Sequence, residues 1–132
     1  QFNIKTHSKN SGKLTVINFD NKFPFKVKRI FFLYGKKNKT RGNHAHKKCS
    51  QFFVPLSGKI ILYVKTLNDK KKIVLKHSTK KSILVPPKYW CTVKFVVKNS
   101  ILMVVWDNYY NPKDYIRDFK TYKKYLLKKW KF

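Results

Sequence analysis

The sequence predicts an all-β chain, an antiparallel barrel or jelly roll carrying one C-terminal helix. Three observations lead there. Eight or nine short stretches rich in Val, Ile, Phe and Tyr follow one another, punctuated by Ser11-Gly12, Asp20-Asn21, Gly58 and Pro86-Pro87. Hydrophobic residues are 42% of the 132, enough for one core in one domain spanning 1–132 and too many for disorder. After residue 110 the pattern changes to helical spacing.

Taken in order, 13–19 alternates as a short half-buried strand. A longer strand runs from Phe25 to Tyr34 and ends at Gly35, with Val27, Arg29, Phe31 and Leu33 on one face. Arg29 on that apolar face is either a rim residue with a packed stem or an inward guanidinium waiting for an anion. Segments 59–65 and 72–77 form a hairpin around the turn T-L-N-D-K-K at 66–71, with His77 expected at the solvated end. Short strands follow at 82–85, 88–97 and 101–106. Asn111 as cap, Pro112 and Asp114 read as the helix start, and Phe119, Tyr122, Leu126 and Trp130 as its apolar stripe. The plain expectation is a helix packed on the barrel. A membrane-surface helix is set aside because the stripe is small and aromatic.

Net charge is +27, which points first to a polyanion partner. Only Arg29, Arg41 and Arg117 are arginine, however, and the lysines are scattered along the chain rather than gathered in one arm. Lys, Asn, Ile, Phe and Tyr all have codons rich in A and T, so base composition accounts for the excess. No specific nucleic-acid partner is expected. No apolar run approaches the ~20 residues of a membrane span, and no signal-peptide pattern is expected ahead of the domain. Two cysteines, Cys49 and Cys91, do not make a disulfide framework, so a cytoplasmic compartment is the default. The chain starts at Gln1 rather than Met, which is compatible with a trimmed start.

The chemistry-bearing stretch is 41–58, R-G-N-H-A-H-K-K-C-S-Q-F-F-V-P-L-S-G. His44 and His46, two apart, share one face of a strand, and imidazoles near pKa ~6.5 move protons or hold metals at neutral pH. Gly, HxH, a polar residue and a second Gly have the spacing of the first cupin motif, although the polar residue is Gln51 and the chain contains no Glu.

With P-F-K-V-K-R-I-F-F at 24–32, R-G-N-H-A-H-K-K at 41–48, the Gln51-to-Gly58 spacing, P-x-x-W at 87–90 and N-Y-Y-N-P-K-D-Y-I-R at 108–117, the chain resembles the sugar-nucleotide 3,4-ketoisomerases, cupins acting on dTDP-4-keto-6-deoxyglucose. The resemblance covers nearly the whole chain. It implies a cupin jelly-roll homodimer whose early strands exchange between subunits, working with neither metal nor other cofactor, in deoxysugar biosynthesis for surface polysaccharide. It matches His44 and His46 to the family's HAH histidines, here the catalytic candidates, and Arg41 to its motif arginine; Arg29, Gln51, Trp90 and Cys91 are the further candidates at the substrate. The family commonly has a His after that Trp, whereas this chain has Cys91, which is either a titrating thiol or a small buried hydrophobe.

Moving the ketone from C4 to C3 requires removal of the C3 proton, an enediolate, and reprotonation at C4. His44 is the expected carbon acid–base and His46 the oxygen-side group, an order open to reversal. Arg29 and Arg41 are the expected phosphate or enolate groups. Gln51 either donates to a sugar oxygen or satisfies an interior polar group. Two rivals remain. One is a cupin 3,5-epimerase, which pairs His with Asp and sets a Tyr across the ring; no clear inward Asp follows the histidines. The other is a silent sugar- or metal-binding cupin, with His44, His46 and Cys91 as candidate zinc ligands.

Overall fold

The structure, a computed structural model, describes residues 2–128. Twelve strands are present in this range: β1 (Phe2–Asn3), β2 (Lys5–Lys9), β3 (Gly12–Val16), β4 (Arg29–Gly35), β5 (Thr40–His46), β6 (Gln51–Ser57), β7 (Lys59–Lys65), β8 (Lys70–Lys76), β9 (Lys81–Val85), β10 (Trp90–Phe95), β11 (Ser100–Trp106) and β12 (Tyr115–Ile116). One helix, α1 (Phe119–Lys128), follows. Trp130 of the expected apolar stripe lies outside the described residues. No helix among them is long and apolar enough to cross a membrane.

The strands form two five-stranded sheets, β1-β9-β6-β11-β4 and β12-β5-β10-β7-β8, plus the separate β2–β3 hairpin. Every pairing is antiparallel. A single apolar cluster joins the inner faces of both large sheets: Phe53 and Val85 meet Leu62, Leu75, Val93 and Phe95. This is the expected jelly roll. Gly35 has to be Gly, because a Cβ there would run into the Phe95 ring.

Two outer clusters explain where the sequence pattern misleads. The expected strand from Phe25 begins only at Arg29. Residues Phe23, Phe25 and Val27 instead lie across the outer face of the first sheet, against Phe52, Val54 and Val105. Pro24 lacks an N–H and suits such a covering coil better than a ladder. Val27 therefore leaves the face shared by Arg29, Phe31 and Leu33.

The second outer cluster lies under α1, where Tyr122 packs on Ala45, Trp90 and Ile116. The Tyr122 hydroxyl donates to the Lys88 carbonyl at 2.7 Å, pinning the helix to the loop before β10. The helix starts later than expected. Asn111 caps only a single 3-10 turn, Pro112–Asp114. The cap of α1 is Asp118, whose carboxylate accepts from the Thr121 backbone N–H at 3.0 Å and from its hydroxyl. Between the two caps, Tyr115 and Ile116 pair with β5, so the segment read as first helical turn is a strand at the centre of the site. His77 is half-buried rather than free at a hairpin end, and its Nε2 lies 3.1 Å from the Thr15 hydroxyl.

Candidate active site

A cavity of about 360 Å³ opens between the two sheets. It is lined by Arg29, Phe31 and Leu33 of β4, Arg41, Gly42 and His44 of β5, Gln51 and Phe53 of β6, Cys91 and Val93 of β10, Val104 and Trp106 of β11, and Tyr115 and Arg117 from β12 onward. All three arginines of the chain line it, and no lysine and no acidic residue does.

The backbone of β5 accounts for the unusual spacing. Arg41 and His44 are three apart, which in a regular strand puts them on opposite faces. Here Gly42 (φ +93°) and Asn43 (φ +57°) both take left-handed backbone. His44 pairs with Cys91 and Gly42 with Thr92, so Asn43 is the extra residue of a bulge. The Thr92 hydroxyl donates to the Asn43 amide oxygen at 2.8 Å and fixes it there. The bulge absorbs one residue, and both side chains reach the cavity. Alternation then resumes: His44 and His46 face inward, while Ala45, fully buried, supports β12 and α1 on the other side. A larger residue at 45 would lift that layer.

The histidines occupy different positions. His44 lines the cavity, whereas His46 is 2% exposed and lies just beneath. Their rings meet edge-to-face at 4.9 Å. The His46 Nδ1 is 3.0 Å from the Asp114 carboxylate. Asp114 is fixed in turn by the Lys48 and Cys49 backbone N–H groups at 2.8 and 3.3 Å. A carboxylate so placed holds the His46 proton on Nδ1 and leaves the Nε2 lone pair on the opposite side of the ring. The ring is packed among His44, Trp106 and Tyr115, with ring centroids 4.9, 4.9 and 4.5 Å away. Nε2 is buried without a partner, as is the His44 Nδ1. Burial pushes the His44 pKa down to about 4, with help from His46. Burial also lowers His46, and the Asp114 hydrogen bond and charge oppose it. Both are neutral imidazoles near pH 7, the state a base requires.

Across the other sheet, Arg29, Trp106 and Gln51 stand in one register row. The Arg29 guanidinium stacks on Trp106 at 4.5 Å, with Phe31 at 5.0 Å and Tyr110 at 5.3 Å. Its Nη1 is buried without a partner. No carboxylate pairs with any of the three arginines among the described residues, where the one ion pair is His46–Asp114. Gln51 accepts from the Trp106 indole N–H at 3.0 Å, so its oxygen serves the interior and its NH2 is the part left to offer. Arg117 stacks on the Tyr115 ring at 4.2 Å.

Two expected substrate residues fall differently. Trp90 does not reach the cavity: it lies on the opposite face of β10, between Phe119 and Tyr122 beneath α1. In P-x-x-W-C the residue facing the site is Cys91, one position later. Cys91 does line the cavity, but burial pushes its thiol up to about 12, so it is an apolar wall group at neutral pH. His44, His46 and Cys91 do not form a ligand cluster. The set that comes together among the described residues is His46, Cys49 and Asp114, with ligand atoms within 4.8 Å of one another. Hydrogen bonds already occupy both Asp114 oxygens, and burial first, then Asp107 and Asp114, push the Cys49 thiol up to about 12. The donors of this set serve to lock His46.

Sequence reasoning missed Asp114, Tyr115, Trp106 and Arg117. Asp114 and Tyr115 were absorbed into a helix start, yet the D-Y-I-R run at 114–117 carried the signal, since Tyr115 and Arg117 share one face at strand spacing. Asp114, behind His46 rather than on the cavity wall, supplies the His–Asp pairing whose lack counts against an epimerase in the sequence, so that argument falls.

The comparisons with known proteins separate the readings. The family described as FdtA, WxcM-like, C-terminal, matches residues 2–127. A TDP-4-oxo-6-deoxy-alpha-D-glucose-3,4-oxoisomerase of Aneurinibacillus thermoaerophilus is 32% identical over 127 residues, covering 96% of this chain and 91% of the relative. QdtA, a sugar 3,4-ketoisomerase from Thermoanaerobacterium thermosaccharolyticum solved with TDP, superposes with a TM-score of 0.86 at 28% identity, covering 96% of this chain and 93% of that one. A mutant of that enzyme was solved with TDP-4-keto-6-deoxyglucose. The rmlC epimerase of Mycobacterium tuberculosis shares the fold at a TM-score of 0.74 but only 16% identity, covering 86% of this chain and 64% of that one. The chain therefore belongs to the WxcM-like, C-terminal (FdtA) family, whose cupin-type fold and sequence it shares with the sugar 3,4-ketoisomerases.

Proposed function

We propose that this isomerase moves the keto group of dTDP-4-keto-6-deoxyglucose from C4 to C3 through an enediolate. The observation that carries this reading is the convergence of His44 and all three arginines on one cavity, with the His46–Asp114 pair packed directly beneath it. The geometry favours reversing the expected order of the histidines. His46, with Asp114 behind Nδ1 and a free Nε2, is the carbon acid–base. Its Nε2 takes the C3 proton, the imidazolium is stabilised by Asp114, and after exchange with solvent it delivers a proton to C4. His44, neutral and on the cavity wall, orients the sugar. The Arg29 guanidinium, whose Nη1 is without a partner, faces the diphosphate and the enediolate charge together with Arg41 and Arg117. Apolar walls at Phe31, Leu33, Phe53 and Val93 keep water from the enediolate.

A homodimer is part of the proposal. Ile30, Phe32 and Tyr34 are 41%, 46% and 74% exposed on the outward face of β4, which is an edge strand. An exposed aromatic edge of this kind is suited to pairing with a second copy. Sedimentation of the protein and of a Phe32→Lys variant tests it; an unaltered monomer in both removes it.

The activity is tested by incubating the protein with dTDP-4-keto-6-deoxyglucose in deuterated buffer and following the sugar by NMR. The expected result is a 3-keto product with deuterium at C4. Label at C5 with the ketone still at C4 would instead make the protein an epimerase.

A further inference from the structure

We propose that the Tyr115 hydroxyl carries the proton between the two sugar oxygens, with Arg29 and Arg117 holding the charge it acquires. The inference rests on the ketoisomerase reading. Isomerisation moves two protons: one from C3 to C4, and one from the C3 hydroxyl to the C4 oxygen. The His46–Asp114 pair accounts for the first. The second needs a group that touches the cavity, is protonated in the free enzyme, and tolerates brief ionisation.

His46 is already engaged with the carbon-bound proton, and its single free nitrogen cannot carry a second one. His44 is on the wall, but as a neutral imidazole its N–H is a far weaker acid than a phenol, whose ordinary pKa is ~10. Cys91 is a buried thiol with its pKa pushed up. Tyr115 is the phenol lining the cavity. Register pairing with His46 puts it on the inward face, 4.5 Å from the His46 ring and 4.9 Å from the His44 ring, so the oxygen-side and carbon-side groups address adjacent atoms. The Arg117 guanidinium stacks on its ring at 4.2 Å. Burial raises the Tyr115 pKa and keeps the hydroxyl protonated at rest, while the Arg29 and Arg117 charges oppose that rise and favour the tyrosinate when it forms.

The step balances without any co-reactant. As His46 removes the C3 proton, the C–H electron pair forms the C3=C4 bond, and the C4 carbonyl oxygen takes the Tyr115 proton. The tyrosinate then takes the proton from the C3 hydroxyl as His46 delivers a proton to C4. The C3 carbonyl forms, and both side chains end as they began.

The test is Tyr115→Phe, assayed by NMR for the 3-keto product alongside the unaltered protein. With TDP binding retained, a fall in turnover of about 10²-fold or more is expected. Turnover within about threefold of the parent overturns the inference while leaving the ketoisomerase reading intact; a parent that makes no 3-keto product defeats that reading instead. Should the Phe variant lose TDP binding, a difluorotyrosine placed at 115, more acidic but equal in shape, decides. The alkaline limb of its pH–rate profile is expected to move down by about one unit or more, as the ionised fraction rises. An unmoved limb overturns the assignment.

Discussion

The cavity and the outer surface carry positive charge of two different kinds. Of 32 basic residues, the three arginines all face the cavity, and the lysines lie elsewhere. A guanidinium presents a planar fork to a phosphate or enolate and is weakly hydrated, so it can be buried against Trp106 with an unpartnered Nη1. An ammonium is a strongly hydrated point charge that stays in water. In this composition the type of cation, not the amount, separates function from solvation.

That contrast can be broken experimentally, and the largest effect is expected at the His–Asp pair that the arginines surround. His46→Asn should lower turnover by about 10³-fold or more with TDP binding retained, and Asp114→Asn by about 10²-fold through loss of the fixed tautomer. If His44→Asn is inactive while His46→Asn is not, the order of the two roles is restored. Next in size, Arg29→Lys should raise KM or lower kcat by about 10- to 100-fold, since one ammonium cannot replace the fork. Lys37→Gln with Lys72→Gln, both exposed, should change kcat/KM by less than about twofold at physiological salt. Equal effects from Arg29→Lys and from the double lysine variant would abolish the distinction.

A third prediction concerns pH. Because the folded pKa of His44 is about 4 and that of His46 is also lowered, both remain bases in mild acid. The acid limb of kcat/KM should lie below the ordinary imidazole value of ~6.5. The unfolded chain binds these protons first, so stability is full above ~6.5 and declines as pH falls toward the folded values. Denaturant titrations across that window check the sign, and stability rising on acidification would contradict it. The smallest expected effect on activity is at Trp90→Phe. It should cost about 1–3 kcal/mol of stability from the cluster under α1 and leave KM for the sugar nucleotide unchanged.

Much of this was legible in the sequence because strand period and turn chemistry are local. An antiparallel barrel or jelly roll, the shared face of Arg29, Phe31 and Leu33, and the placing of His44 with His46 on one face all follow from alternation, which leaves open whether Arg29 turns inward or sits at the rim. The misread parts are those where a local rule met a tertiary one. Asn111-Pro112-Lys113-Asp114 is a sound helix start by its residues, but β5 offered the next two residues a strand partner, and the true cap moved to Asp118. Trp90 looked like a cavity wall because of its motif. Period 2 alone assigns Trp90 and Cys91 to opposite faces without saying which is inside, and the apolar underside of α1 took the larger side chain. Arg117 was hidden by the same misplaced helix.

The bulge at Gly42–Asn43 has a consequence for how this strand can vary. Since Asn43 occupies no ladder position of its own, removing it would leave Arg41 and the imidazoles in phase, whereas straightening β5 at its present length would turn Arg41 out to solvent. The loop length in this stretch is therefore a phase setting for the guanidinium: related chains can differ by one residue here and keep the same inward chemistry, provided the backbone gains or loses its kink in step.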